Sequence, residues 1–247
     1  MIWLGLLLLG LGIADLLHSG RPLRWMPEIL AALVTVGAGL LAGYSDASEV
    51  LGEVAVAFVV LAWGSAVRQG FGRRLPGLPL SVLALAVVGA VLVSPLGDSS
   101  GGPLGDWLSQ TEVPWLRSLD VTRAVLLLGA FVVQGSTGNV VVRLILQATH
   151  TVPPAPAEQR EAGPRLKGGR LLGPMERLII VGLGLSGSFT AIGIIVAAKG
   201  LLRFPELQAA RDAHEGPSIT EVTEYFLVGN FVSWTFALTT LAVIAHR

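Results

Sequence analysis

The chain has no cysteine, which removes disulfides, thiolate metal ligands and cysteine nucleophiles together. Histidine is nearly as sparse. His18, His150, His214 and His246 stand apart, and none pairs with another at the spacing of a metal motif such as H-E-x-x-H. No D-x-x-D or D-x-x-x-D motif of the membrane prenyl or alcohol-phosphate transferases lies within an apolar run. The segment GLSGS at 184–188 is no nucleophile elbow, because it falls inside an apolar helical pattern without a partner histidine. Charge is scarce as well: 14% of residues are charged, against about 25% in an ordinary soluble domain. Formal net charge is zero, so there is no electrostatic case for nucleic acid. No cofactor is expected.

What remains is apolar. Hydrophobic residues make up 52% of the chain and are bunched into runs separated by short charged patches, the pattern of membrane spans. Candidate spans lie at about 2–17, 28–44, 51–67, 78–96, 121–147, 175–198 and 221–245. The expected fold is therefore an all-α, polytopic transmembrane helix bundle of about seven spans. Its expected setting is the bacterial inner membrane, with the lipid bilayer as its first partner. The N-terminal MIWLGLLLLGLGIADLL lacks a basic n-region, contains Asp15 and leads to Arg21 and Arg24 without a small-x-small cleavage site. It reads as a retained first helix.

Lys and Arg placement sets the orientation. With the N-terminus outside and the C-terminus cytoplasmic, ten Lys and Arg fall inside and four outside, counting connections only. If 121–147 dipped in and returned, the tally would be eight against six. A continuous crossing helix over 121–147 is thus the expectation. The domain reading follows: residues 1–120 form a four-helix region ending in an outer loop at 97–120. Residues 121–247 form a three-helix region with a cytoplasmic linker at 148–174. The outer loop carries Trp107 and Trp115, suited to an interface. The Pro- and Gly-rich linker offers a contact for a cytoplasmic or membrane partner.

Within 121–147 the run FVVQGSTGNVVVR raises the question of chemistry. On one helix, Ser136, Asn139, Arg143 and Gln147 share a face, with Gly129 earlier on it. Leu127 and Val141 point away. A polar stripe must face protein or a water-filled cavity, so these four are candidate lipid- or solute-binding residues. The alternative is helix packing through small and amide residues. GSTGN is a poor phosphate loop, lacking the Lys-Ser/Thr ending and a preceding strand.

The sixth span has small residues all round: Gly182, Ser186 and Gly193 on one face, Gly184, Gly187 and Ala191 on the other. This predicts a helix clamped between neighbours. Its entrance, GGRLLGPMER, puts Glu176 and Arg177 near the start. Lys199, Arg203 and Glu206 share a face beyond its far end, which places Glu176 and Lys199 on opposite sides of the membrane. The last span starts with a capping box of Ser218 and Glu221, opens with Glu224 and Tyr225, and carries Asn230 and Ser233 on one face with Trp234 beside them. Asn230 and Ser233 join the candidate binding residues.

The blocks GGRLLGPMERLII, AIGIIVAAKGLLRFPEL and EYFLVGNFVSW resemble, in order and spacing, the C-terminal part of a family of bacterial integral-membrane proteins of unknown function. The resemblance covers about residues 167–235. It implies weight on Gly169, Arg170, Gly173, Glu176, Arg177, Lys199, Arg203, Phe204, Glu224, Tyr225 and Gly229. Pro174 stands where the family has isoleucine, and Asn230 where it has threonine. The first 120 residues do not match the family's His- and Asp-containing helix, of which Asp15 and His18 are a loose echo.

Three functions are compatible with this sequence. Transport or translocation of a small or lipid-like solute is favoured by polar groups on helices five to seven. A non-catalytic membrane subunit or assembly scaffold would use the linker. An enzyme modifying an envelope lipid would need parts that no motif here supplies.

Overall fold

A computed structural model describes residues 1–20, 25–97, 101–151, 169–212 and 219–245. Among the described residues every regular element is helical: α1 (Ile2–Gly20), α2 (Met26–Leu41), α3 (Ala47–Gly72), α4 (Gly77–Val93), α5 (Gly102–Gln110), α6 (Pro114–Arg117), α7 (Val121–Gly135), α8 (Thr137–Ala148), α9 (Gly169–Leu185), α10 (Phe189–Asp212) and α11 (Ile219–Ala245). Three helices are long and apolar enough to cross a bilayer, in α1, α3 and α11; the bent pair α7–α8 would make a fourth. This is the helix content of a membrane protein. Four of the seven runs read as spans therefore reach that length, α7–α8 among them only as a bent pair, and α2, α4 and the apolar part of α10 are shorter.

The chain forms two compact units, Met1–Val140 and Val141–Arg247. The division falls inside α8 rather than after residue 120, because α7 packs along α1 and so belongs with the N-terminal helices. Small residues make that packing intimate. A Cβ on Gly5 would come within 2.8 Å of the Leu126 backbone nitrogen, and one on Gly12 within 2.9 Å of the Val132 carbonyl carbon. With Gly129 opposite, the two backbones touch, as small-residue membrane interfaces allow. Helices α2 and α3 also pack on α1, so its apolar residues from Ile2 to Leu11 are buried, while Leu16 and Leu17 near its end are exposed. Near its start, Trp3 stacks on Tyr44 with ring centroids 5.1 Å apart. The segment read as an outer loop contains α5 and α6, with Trp107 and Trp115 both exposed.

Two long helices of the sequence reading are interrupted. Residues 121–147 are not one straight helix: α7 and α8 meet at a 49° bend. Ser136, between them, has φ −131° and ψ −65°, outside helical geometry. Its hydroxyl donates to the Gly12 carbonyl of α1 at 2.7 Å, a tertiary contact that a regular helix would forgo. Helix resumes at once, with the Asn139 amide donating to the Ser136 carbonyl at 2.9 Å.

Residues 175–198 are not one span either. They form a helical hairpin, α9 and α10, turning at Ser186–Ser188. The Ser188 amide donates to the Leu183 carbonyl at 2.8 Å and the Gly187 amide to the Gly184 carbonyl at 3.0 Å. Gly187 lies at φ +74°. This pair of bonds around a left-handed glycine is the Schellman helix stop. The expectation of a helix clamped on all faces holds only at Gly184, which abuts Leu241 of α11, whereas a Cβ on Gly182 or Gly193 would meet nothing within 4 Å.

Candidate functional site

The hairpin brings together charges that the sequence reading had put on opposite sides of the membrane. Glu176 of α9 and Lys199 of α10 form an ion pair, with side chains 9% and 22% exposed. Trp234 of α11 donates its indole N–H to the other Glu176 carboxylate oxygen at 2.8 Å. The Lys199 ammonium also lies 5.9 Å from the Trp234 ring centroid, a cation–π distance. One carboxylate is thus satisfied by a cation and an indole from two different helices.

Arg177, next in sequence, points elsewhere, as adjacent helical residues must. It is 1% exposed and donates to the Ser233 hydroxyl of α11 at 3.0 Å. Ser233 and Trp234 are neighbours on α11, so the two α9 charges engage successive residues of one partner helix. Asn230, one turn earlier on α11, is also buried. The assembly of Glu176, Arg177, Lys199, Asn230, Ser233 and Trp234 is a polar cluster among three largely apolar helices. Trp234 is the member the sequence reading did not single out as a site residue; its signal was an aromatic with a polar tip beside the Asn230–Ser233 face.

The remaining candidates on α9 to α11 contribute backbone, lie away from this cluster or have side chains outside the described residues. Gly173 is half-buried in α9, a turn before Glu176. Gly169 and Arg170 open α9, and Arg203 lies within α10; the side chains of both arginines are outside the described residues. Glu224 is exposed and Tyr225 half-buried near the start of α11, about 15 Å along the helix from Trp234. The Ser218–Glu221 capping box and most of the linker, 152–168, also lie outside the described residues. The linker's last residues, 169–174, are the first turns of α9.

The stripe of α7–α8 is divided by the bend. Ser136 is buried against α1, Asn139 and Gln147 are half-buried, and Arg143 is exposed. On α8 the buried side chains are Thr137, Val141, Leu144 and Leu146, with Val142 and Leu146 facing Gly229 of α11. Asn139, Arg143 and Gln147 fall on the other side of α8 from this largely apolar face, while Thr137 is buried within it.

The N-terminal unit holds buried charges that the sequence reading passed over. Asp15 of α1, 6% exposed, accepts from the Trp63 indole N–H, which lies 3.2 Å from both carboxylate oxygens. Glu28 of α2 pairs with Arg68 of α3, and the Arg68 guanidinium lies 4.0 Å from the Trp25 ring centroid. Gly64, facing the Glu28 side chain, leaves room for it. Glu53 of α3 is buried against Gly39 of α2. An acid inside an apolar run was the available signal at Asp15 and Glu53. At Glu28 the residue passed for an ordinary helix-start acid.

Both units thus use the same local device, a carboxylate and a cation held with tryptophan between apolar helices. Set against protein families, curated proteins and solved structures, the chain matches none of them.

Proposed function

We propose that the chain is a bacterial inner-membrane protein that moves a small or lipid-like solute, with the cluster of Glu176, Arg177, Lys199, Asn230, Ser233 and Trp234 as its solute-binding region. The observation that carries this reading is the Glu176–Lys199 pair bound to Trp234 beside the buried Arg177. Charged groups between apolar helices are costly to place there and typically mark a pathway. Glu176, Arg177 and Lys199 also carry the resemblance to the membrane-protein family of unknown function.

The hairpin also supports a revised topology. If α9 enters from the cytoplasm, α10 returns there, and Lys199, Arg203 and Arg211 join the inner connections. With α7–α8 crossing, and counting connections only, twelve Lys and Arg then lie inside and Arg117 and Arg247 outside. That bias is stronger than the ten against four of the seven-span reading and favours an outer C-terminus.

The test is reconstitution into liposomes, following a fluorescent phosphatidylglycerol across the bilayer and, separately, uptake of radiolabelled acetate and succinate. Wild-type protein is expected to move at least one probe. Glu176→Gln and Lys199→Met should abolish that flux while remaining folded and correctly inserted. Flux unchanged in both variants would remove the cluster from the pathway. Absence of any flux, together with a stably co-purifying membrane protein, would point to the scaffold reading instead.

A further inference from the structure

We infer that Glu53 is a proton-binding site in the membrane-spanning part of the N-terminal unit, its carboxyl held as the neutral acid in a slot formed by Gly39. The inference stands apart from the solute reading, since it concerns other helices and another ligand. Glu53 lies six residues into α3, a helix long and apolar enough to cross a bilayer. The residue is 2% exposed, and its Oε1 has no hydrogen-bond partner. Among the described residues no cation or donor reaches it.

The slot is specific. A Cβ on Gly39 would overlap the Glu53 carboxyl group, so glycine at this position makes the space the carboxyl occupies. Elsewhere in the unit the buried acids are provided for: Asp15 by Trp63 and Glu28 by Arg68. Glu53 alone among these three is buried with neither.

Among the described residues no ion pair forms to Glu53. Helices α1, α2 and α4 pack on α3. The titratable groups they bring are Asp15 and His18 from α1 and Glu28 from α2, and α4 brings none. Asp15 and Glu28 are held near Trp63 and Arg68, about 15 Å or more along α3 from Glu53. On α3 itself Glu49 is one turn away and accepts from the amides of Ser45 and Asp46, adding a negative charge nearby. A carboxylate so placed is relieved by taking up a proton.

Infrared spectroscopy of the full-length protein in phosphatidylcholine liposomes at pH 7 tests this. The wild-type spectrum minus that of Glu53→Gln should show one protonated-carboxyl stretch, which Glu53→Asp retains. Loss of a carboxylate band instead would overturn the inference. Should Glu53→Gln fail to fold, dicyclohexylcarbodiimide labelling of the wild-type protein decides. Peptide mapping should find the adduct at Glu53 at least tenfold above Glu49. Equal labelling, or none at Glu53, would overturn it.

Discussion

Glu176 and Lys199, 23 residues apart, meet as an ion pair across the α9–α10 turn. In one continuous helix the same residues would stand about 34 Å apart, more than the hydrocarbon thickness of a bilayer. Their contact therefore depends on the helix stop at Gly187, and the cluster around Trp234 depends on their contact.

Gly187→Ala tests the stop. A side chain at φ +74° is strained, costing about 1–2 kcal/mol for a non-glycine residue in the left-handed region. The variant should unfold at a lower temperature in detergent, and Gly182→Ala, which meets open space, should change little. Equal effects at both positions would argue against the turn.

The ion pair itself is open to a double-mutant cycle. Removing one partner leaves a largely buried charge, so Glu176→Gln or Lys199→Met alone should cost about 3 kcal/mol. The double variant should cost less than the sum of the two. Strict additivity in chemical denaturation would show that the residues do not interact.

The α1–α7 seam makes a third prediction. Gly5→Val places a branched side chain against the Leu126 backbone, which cannot rotate away as a side chain can. Overpacking of this kind costs about 1–3 kcal/mol or more. Gly37→Val, where a Cβ meets nothing within 4 Å, should cost little, since valine is no poorer a helix former than glycine. Thermal unfolding of the two variants should separate them clearly.

Topology is accessible because the chain has no cysteine of its own. Single substitutions Ser109→Cys and His150→Cys should label from opposite sides of the membrane if α7–α8 crosses. Arg247→Cys should label from the side of Ser109 if α9–α10 returns to the side it entered. Labelling of position 247 with position 150 would restore the cytoplasmic C-terminus.

How much of this was written in the sequence varies by element. The apolar runs of α1, α3 and α11 announce membrane helices unaided, because a bilayer's thickness sets a length that composition alone can meet. Glu176, Arg177, Lys199, Asn230 and Ser233 stand out because polar side chains in apolar surroundings are costly and few. The sequence also contains the glycines and serines at 135–136 and 186–188 that interrupt the two long runs. It does not say which of them interrupt, since small residues serve equally in continuous, closely packed helices.

That choice is made by tertiary contacts. Ser136 leaves helical geometry with its hydroxyl on the Gly12 carbonyl of α1, a residue 124 positions earlier in the chain. Gly187 ends α9 where the return of α10 can set Lys199 on Glu176 and α11 can set Trp234 beside both. Composition determined that this protein belongs among membrane helices and which few residues are charged within them. Only the packing decided which of those charges meet, because a partner brought from another helix depends on where the chain turns.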